Sequence, residues 1–300
     1  MKLLLTGAFK CTDEQIEYLK LLGHDIVFFG DEREKIDFDA SDIEGVICNG
    51  LFVYNDIEQF RSLKYIQLTS SGFDRVPMDY IKQHGIEIHN ARGVYSIPMA
   101  EFAVSGVLQL YKQSRYFYKN QKEHKWEKHC GLLELFGKNV CIVGCGSVGT
   151  ECAKRFRAFG CKVIGVDLFP RKDEYYEIMY ALSDLEKALS VADVVVLTLP
   201  LTEENHHIMN EERFALMKKD SVLVNIARGA VVNEPALLKA LDEKLIGAVL
   251  DVFEEEPLDE HSPLWDMDNV ILTPHNSFVG DGNFSRLYTL MLKKIKIYAK

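Results

Sequence analysis

The sequence has few of the features that mark secreted, membrane-spanning or nucleic-acid-binding proteins. Its seven cysteines form no CxxC pair and their number is odd, so neither a disulfide framework nor a zinc ribbon is indicated. Lys and Arg number 35 against 45 Asp and Glu, and the resulting net charge of −10 argues against nucleic acid or an anionic membrane as a partner. The longest apolar stretches, such as VVVLTLPL at 194–201, fall well short of the roughly 20 residues that a membrane span needs. The N-terminal MKLLLTGAFK is too short for a signal-peptide core, so we expect a cytoplasmic protein.

Metal-ligand patterns are also scarce. His124, His129 and Cys130 lie together in HKWEKHC, and His206 is followed directly by His207. Neither group has a recognised ligand spacing, so we predict no metal site and interpret both as solvated surface. The cysteines are interpreted as small buried hydrophobic residues in a reducing compartment.

Alternating strand and helix patterns dominate the chain. A length of 300 residues predicts two domains, and 47% apolar residues suffice for sizeable cores. Short runs rich in Val, Ile and Leu alternate with amphipathic stretches, which is typical of parallel α/β sheets. The first helix is predicted from Thr12 to Leu22, with Thr12 and Gln15 as a capping box. The predicted strands are KLLLTG, DIVFF, GVIC, YIQLTS and IEIHN in a first series, and NVCIVG, KVIGVD, VVVLTL, SVLVNIA, GAVLDV and NVILTP in a second.

The second series of six strands matches a doubly wound open sheet of the Rossmann type. Between the two series lies one long apolar-periodic segment from Ile97 to about Tyr118, with Pro98 near its start, where we place a domain crossing. The final segment, residues 283–300, is predicted to be helical, but its periodicity does not tell which domain it joins.

A dinucleotide site is predicted where the second series begins. Gly144, Gly146 and Gly149 stand in GxGxxG register directly after a strand and before a helix, as a tight turn beside a pyrophosphate requires. Asp167 ends the next strand, where an acid is expected to bind the ribose hydroxyls of NAD and to repel the 2′-phosphate of NADP. Arg171 and Lys172 lie close by and could bind that phosphate, so NADP stays a less favoured alternative.

Three later strands end in residues suited to oxidoreduction of a carboxylic acid. Because ligands of an open parallel sheet bind beyond the carboxyl ends of its strands, Arg228, Glu256 and His275 should converge on the cofactor. The guanidinium can hold a carboxylate through two hydrogen bonds. The imidazole can exchange a proton near neutral pH, and the carboxylate, if hydrogen-bonded to it, would orient the ring and favour reduction.

In order along the chain, VGCGSVG, LTLPLT, NIARGAVVNEPAL, GAVLDVFEEEPL and NVILTPH resemble the motifs of the D-isomer-specific 2-hydroxyacid dehydrogenase family. The resemblance covers almost the whole chain and implies an NAD-dependent enzyme acting on a small 2-oxo or 2-hydroxy acid. It implies Arg228 as the substrate clamp, the Glu256–His275 pair as acid/base, and Asp251 as the residue that holds the nicotinamide carboxamide. The cofactor-binding residues predicted with these are Gly144, Gly146, Ser147, Val148, Gly149, Asp167, Pro200, Thr202, Ile226 and Ala227.

The resemblance also implies an architecture. A Rossmann domain of residues 97–276 would be inserted in a smaller flavodoxin-like substrate domain of residues 1–96 and 277–300. An arm of about residues 97–135 would form a homodimer, and the substrate pocket would include Leu51, Ser71 and Gly72.

Some alternatives stay open. NSFVGDGN after His275 departs from the usual family pattern, which leaves the substrate undefined, and Arg75 with Arg92 could bind a phosphorylated acid. A corepressor-like scaffold that senses NADH is a second hypothesis, although intact Arg228, Glu256 and His275 argue against it. Formate or phosphonate oxidation is a third, and the acid/base pair does not favour formate chemistry.

Overall fold

A computed structural model describes residues 1–298, and the chain divides into two compact units. The first unit comprises Met1–Tyr95 together with Gly280–Lys300, of which residues up to 298 are described. The second unit is the continuous segment Ser96–Val279. No helix among residues 1–298 combines the length and apolarity needed to cross a membrane.

The first unit is built on a parallel sheet of five strands. The strands are β1 (Lys2–Thr6), β2 (Asp25–Phe29), β3 (Gly45–Cys48), β4 (Tyr65–Leu68) and β5 (Glu87–His89). Their order β2-β1-β3-β4-β5 is that of flavodoxin-like sheets. The first series of strands is thus confirmed, in the predicted parallel arrangement.

Helices cover both faces of this sheet. They are α1 (Asp13–Leu21), α2 (Leu51–Tyr54), α3 (Met78–Gln83) and α10 (Asn283–Ile295). Helix α1 begins with the predicted capping box, in which Gln15 N donates to Thr12 Oγ1 and Thr12 N donates to Gln15 Oε1. Helix α10 packs its apolar face on the sheet, where Leu287 and Met291 join Leu3 and Leu5 in one core. The last helix therefore belongs to the unit that holds the first strand.

The second unit contains a parallel sheet of seven described strands. They are β6 (Asn139–Val143), β7 (Lys162–Asp167), β8 (Ile178–Ala181), β9 (Val194–Leu197), β10 (Val222–Asn225), β11 (Gly247–Leu250) and β12 (Val270–Leu272). The strands lie in the order β12-β11-β10-β9-β6-β7-β8. Successive strands are added on one side of β6 as far as β8 and then on its other side from β9 onward, as in Rossmann sheets. The predicted α/β fold class is confirmed, but six strands were expected and β8 was missed. This short edge strand, IMYA, is only partly buried, and a run of four apolar residues does not distinguish a strand from a helical segment.

The helices of the second unit flank the sheet on both sides. They are α4 (Ser96–Tyr111), α5 (Ser114–Lys122), α6 (Ser147–Ala158), α7 (Leu185–Leu189), α8 (Glu211–Leu216) and α9 (Glu234–Glu243). The apolar-periodic segment from Ile97 to about Tyr118 forms two helices rather than one, because Gln113 takes a left-handed backbone with φ of 52° and separates α4 from α5. A left-handed residue interrupts the helical hydrogen-bond ladder.

The cysteines match their interpretation only in part. All seven are free thiols; five are buried, Cys11 is half-buried and Cys130 is exposed. The expectation of a buried residue was therefore wrong for Cys130, which lies in an irregular stretch after α5.

Candidate active site

The loop between β6 and α6 carries three glycines under different constraints. Gly144 has φ of 96°, and a Cβ there would lie 2.6 Å from Leu199 N. A Cβ on Gly149 would lie 2.1 Å from Gly144 O, whereas one on exposed Gly146 would meet no heavy atom within 4 Å. Packing within the protein therefore requires the first and third glycines but not the second.

The second glycine lies where the loop could contact a ligand. Gly146 is the N-cap of the 12-residue helix α6, and no side chain caps that end. Exposed backbone at a helix N-terminus suits a diphosphate, and a Cβ at position 146 would obstruct its approach. Ser147 and Val148 follow as half-buried first residues of the helix. These residues fit a dinucleotide.

Asp167 ends β7 beside this loop. Its Oδ2 accepts a hydrogen bond from Cys145 N at 2.7 Å, and its Oδ1 accepts from Phe169 N at 3.0 Å. The carboxylate is thus fixed next to the glycine loop, where its charge disfavours a 2′-phosphate. Arg171 donates through Nη2 to Cys145 O at 2.6 Å and lies 3.6 Å from the Asp173 carboxylate, so its guanidinium is already engaged.

The segment after β9 lies at the same carboxyl end of the sheet. Asn205 Nδ2 donates to Pro200 O at 2.6 Å, and Thr202 N donates to Asn205 Oδ1 at 2.7 Å. Pro200 and Thr202 are exposed, as cofactor contacts require. Ile226 and Ala227 are buried after β10, which leaves their backbone as the only part able to contact a ligand.

Glu256 and His275 form a hydrogen-bonded pair. His275 Nδ1 lies 2.9 Å from Glu256 Oε2, and both side chains are partly exposed, at 42% and 37%. Glu256 Oε1 also accepts a hydrogen bond from Phe253 N at 3.1 Å, and this second contact fixes the position of the carboxylate. His275 has a left-handed backbone with φ of 50°, and its N–H donates to Asp251 O at 2.7 Å. His275 is therefore restrained twice, through its backbone N–H by Asp251 and through its ring Nδ1 by Glu256.

Asp251 is a fully buried anchor for the loop after β12. Its Oδ1 accepts from Thr273 Oγ1 at 2.6 Å and from Asn276 N at 2.7 Å. Ser277 N lies 3.0 Å from both of its carboxylate oxygens. The described contacts thus assign the carboxylate to ordering the segment that carries His275, and a contact with nicotinamide stays a prediction.

Arg228 follows β10 and is exposed. Its Nη1 donates to Ala227 O at 2.6 Å, and its own carbonyl accepts from Asn225 Nδ2 at 3.0 Å. Because β10, β11 and β12 are neighbours in register, the segments with Arg228, Glu256 and His275 leave the same edge of the sheet. This placement agrees with the convergence expected from topology.

The predicted substrate-pocket residues lie in the first unit. Ser71 is exposed, and its carbonyl accepts from Asn90 Nδ2 at 2.6 Å; Gly72 is half-buried, and its carbonyl accepts from Ser70 Oγ at 3.2 Å. Leu51 also lies in this unit, and because its side chain is fully buried in the core, it could contact a substrate only through its backbone.

Two residues that order these loops were not predicted. Thr198 Oγ1 donates to Gly144 O at 2.6 Å and so holds the glycine loop. In the first unit, the Glu32 carboxylate accepts from Asn49 N at 2.7 Å and Gly50 N at 2.6 Å. The sequence could have indicated Thr198 and Glu32 only as polar residues that follow the carboxyl ends of apolar strands. Their hydrogen-bond partners are distant in sequence and could not be predicted.

Comparison with known proteins agrees with this geometry. Residues 104–277 match the family model for the NAD-binding domain of D-isomer-specific 2-hydroxyacid dehydrogenases. The glyoxylate reductase of Thermofilum pendens is 38% identical over 221 residues, which cover 71% of this chain and 65% of the relative. The D-3-phosphoglycerate dehydrogenase of Methanocaldococcus jannaschii is 33% identical over 301 residues, covering 99% of this chain and 57% of the relative. The chain thus spans less than two thirds of the length of these two relatives.

Solved structures show the same similarity. The D-lactate dehydrogenase of Aquifex aeolicus, determined with NAD and lactic acid, is 26% identical with a TM-score of 0.72, covering 99% of this chain and 95% of the other. The family model describes an NAD-binding domain and this solved structure holds NAD, so NAD is the cofactor indicated for the chain. The chain belongs to the D-isomer-specific 2-hydroxyacid dehydrogenase family, and residues 104–277 are its NAD-binding domain.

Proposed function

We propose that the protein reduces a small 2-oxo acid, such as glyoxylate, hydroxypyruvate or pyruvate, to the D-2-hydroxy acid. The observation that carries this proposal is the 2.9 Å contact between His275 and Glu256, which lies at the sheet edge that also holds the glycine loop. Relatives named glyoxylate reductase and hydroxypyruvate reductase support this substrate class. The NADH-sensing scaffold is not favoured, since the relatives are named as enzymes.

His275 donates the proton in this reaction. NADH, when bound, supplies the hydride that reduces the carbonyl carbon. Because Glu256 occupies Nδ1, the other ring nitrogen, Nε2, is left to protonate the carbonyl oxygen as it gains electrons. The carboxylate orients the ring for this transfer. In the reverse direction, the neutral ring removes the hydroxyl proton.

Arg228 binds the acid. Its exposed guanidinium can pair with the substrate carboxylate through two parallel hydrogen bonds and polarise the neighbouring carbonyl. We propose an unphosphorylated substrate. Arg75 and Arg92 line two different cavities of the first unit, which does not support a shared phosphate site.

The test is an NADH-oxidation assay across glyoxylate, hydroxypyruvate, pyruvate and 3-phosphohydroxypyruvate. We expect turnover with at least one of the first three, and His275→Asn should lower kcat by about two to four orders of magnitude. Asn tolerates the left-handed backbone at this position. His124→Asn is the matched control, because His124 is exposed and has φ of 54°. Near wild-type turnover of His275→Asn would refute the acid/base role.

We also propose that a second copy of the chain covers the region after α4. Large apolar side chains are exposed there, and Trp126 is 98% exposed in a stretch without regular secondary structure. A groove of about 460 Å³ beside α4 and α6 carries Glu101 together with Lys112 and Arg155, charges of both signs that suit a self-complementary twofold contact. The other exposed apolar residues of the region are Phe117, Tyr118, Leu132, Phe136 and Phe159.

Sedimentation velocity tests this proposal. We expect a dimer for the native protein and a monomer for Trp126→Glu, because a buried unpaired carboxylate opposes association. Trp265→Phe, at the half-exposed second tryptophan, is the control and should stay dimeric. A monomeric native protein at micromolar concentration would contradict the proposal.

A further inference from the structure

Two consecutive histidines and a glutamate converge on the surface of the second unit. His207 Nε2 lies 2.9 Å from Glu254 Oε1, and His206 Nε2 lies 3.9 Å from the same oxygen. One ligand atom from each of the three residues falls within 4.8 Å of the others. Within residues 1–298, no other group of three or more His, Cys, Asp or Glu residues meets this criterion, and HKWEKHC does not.

The backbone brings the two rings together. Side chains of consecutive residues usually point in different directions, but His207 has a left-handed backbone with φ of 51°. The rings therefore lie side by side, with centroids 3.9 Å apart and an angle of 37° between their planes. Both rings thus approach the same carboxylate oxygen of Glu254.

The spacing of the donor atoms matches a metal site. Zinc binds imidazole nitrogen and carboxylate oxygen at about 2.0–2.2 Å, so tetrahedral ligands lie about 3.3–3.6 Å apart. The observed 2.9 Å and 3.9 Å fall on either side of this spacing, and shifts of a few tenths of an ångström would equalise them. The side chains are 50%, 29% and 41% exposed for His206, His207 and Glu254, so an ion can enter and keep a water ligand.

We propose that His206, His207 and Glu254 bind a divalent transition ion of the zinc class. Two neutral imidazoles and a carboxylate are ligands that Zn²⁺ and its neighbours in the first row accept, with water as the fourth ligand. This revises the interpretation of His206 and His207 as ordinary surface. It does not depend on the proposed reaction, because the three donors lie outside the predicted catalytic set.

The location of the cluster gives the ion a structural effect. Glu254 precedes Glu256 by two residues in the turn after β11. His207 N donates to Ala230 O at 2.8 Å, in the segment that begins with Arg228. A bound ion would therefore tie together the segments that present Arg228 and Glu256.

Asn233 supplies an independent means of tuning the site. Its Nδ2 lies 3.4 Å from His207 Nδ1, while its Oδ1 caps helix α9 by accepting from Ala236 N at 3.0 Å. When Nε2 binds metal, Nδ1 carries a proton and needs an acceptor, which an amide NH₂ cannot provide. Asp at this position would keep the cap and accept that proton.

The experiment is equilibrium dialysis of the tag-free, nucleotide-free protein against ZnCl₂ alone, with bound zinc counted per chain. We expect one ion per native chain. His206→Gln, His207→Asn and Glu254→Gln should each weaken binding by about tenfold or more, and Asn233→Asp should tighten it by about tenfold. His124→Asn, outside the cluster, should bind as the native protein does.

Circular dichroism checks that each variant is folded, and the measurement involves no turnover, so it is independent of the proposed reaction. The inference fails if the native protein binds no zinc. It also fails if the three ligand variants bind zinc as tightly as the native protein, or if His124→Asn loses as much affinity as they do.

Discussion

Gly144, Gly146 and Gly149 belong to one motif but meet different constraints within the fold. The first and third avoid backbone collisions inside the protein, whereas the second has no neighbour that an added Cβ would touch. The sequence predicted all three as one motif, but only the structure separates their roles. The distinction can be tested because stability and cofactor affinity are measured separately.

Gly146→Ala should leave the unfolding free energy within about 0.5 kcal/mol of the native value, since the new methyl group meets no protein atom. The same methyl group should weaken NADH binding by about tenfold or more, because it obstructs the diphosphate. Gly149→Ala should instead destabilise the protein by about 2 kcal/mol or more. Nucleotide fluorescence titration and thermal unfolding measure the two effects, and equal destabilisation by both variants would refute the division.

Residue types at strand ends were predictable, but their partners were only partly so. The hydrogen bond that places Glu256 beside His275 was an explicit condition of the sequence interpretation. The burial of Leu51 and the anchoring role of Asp251 were not expected, because both depend on contacts with distant segments. The approach of His206 to Glu254 depends on one left-handed residue, and the sequence carries no glycine or asparagine there to reveal it.

At the scale of elements, periodicity located long helices and buried strands well and failed at their interruptions. Strand β8 was missed because its four apolar residues are compatible with either a strand or a helix. The break at Gln113 was missed because the apolar pattern continues across it. Periodicity also left the place of α10 open, although its apolar face completes a core with β1.

Met291→Ala should lower the opening free energy of the first unit by about 2–5 kcal/mol, because this fully buried side chain fills the core between α10 and β1. Hydrogen exchange of the β1 amides, followed by mass spectrometry, reports this unit selectively. Lys293→Ala on the exposed face of the same helix should change exchange little. Unchanged β1 exchange in Met291→Ala would show that α10 does not contribute to this core.

At the scale of the whole molecule, the buried thiols make stability sensitive to alkaline pH. Burial raises the pKa of Cys145 and Cys161 to about 11 and that of Cys152 to about 12. Burial also raises the pKa of Cys141. In the unfolded chain these thiols lose their protons near pH 8.5, so above that pH the unfolded state binds fewer protons than the native state. Stability must then fall as pH rises.

We expect the unfolding free energy of the second unit to fall between pH 8 and 10, approaching about 1.4 kcal/mol per pH unit for each buried thiol. Urea unfolding followed by tryptophan fluorescence measures it, because Trp126 and Trp265 both lie in this unit. Cys152→Ala removes one of these thiols and should reduce the slope of free energy against pH by up to about 1.4 kcal/mol per pH unit. A free energy that does not change over this range would contradict the prediction.

The division of the chain also sets an order of events during synthesis. The second unit is continuous and can complete its sheet once Val279 has left the ribosome. The first unit cannot, because Leu3 and Leu5 await Leu287 and Met291, which are translated almost three hundred codons later. Strand β1 is thus translated long before its permanent neighbours in α10, and until they emerge that face of the strand stays uncovered by this helix.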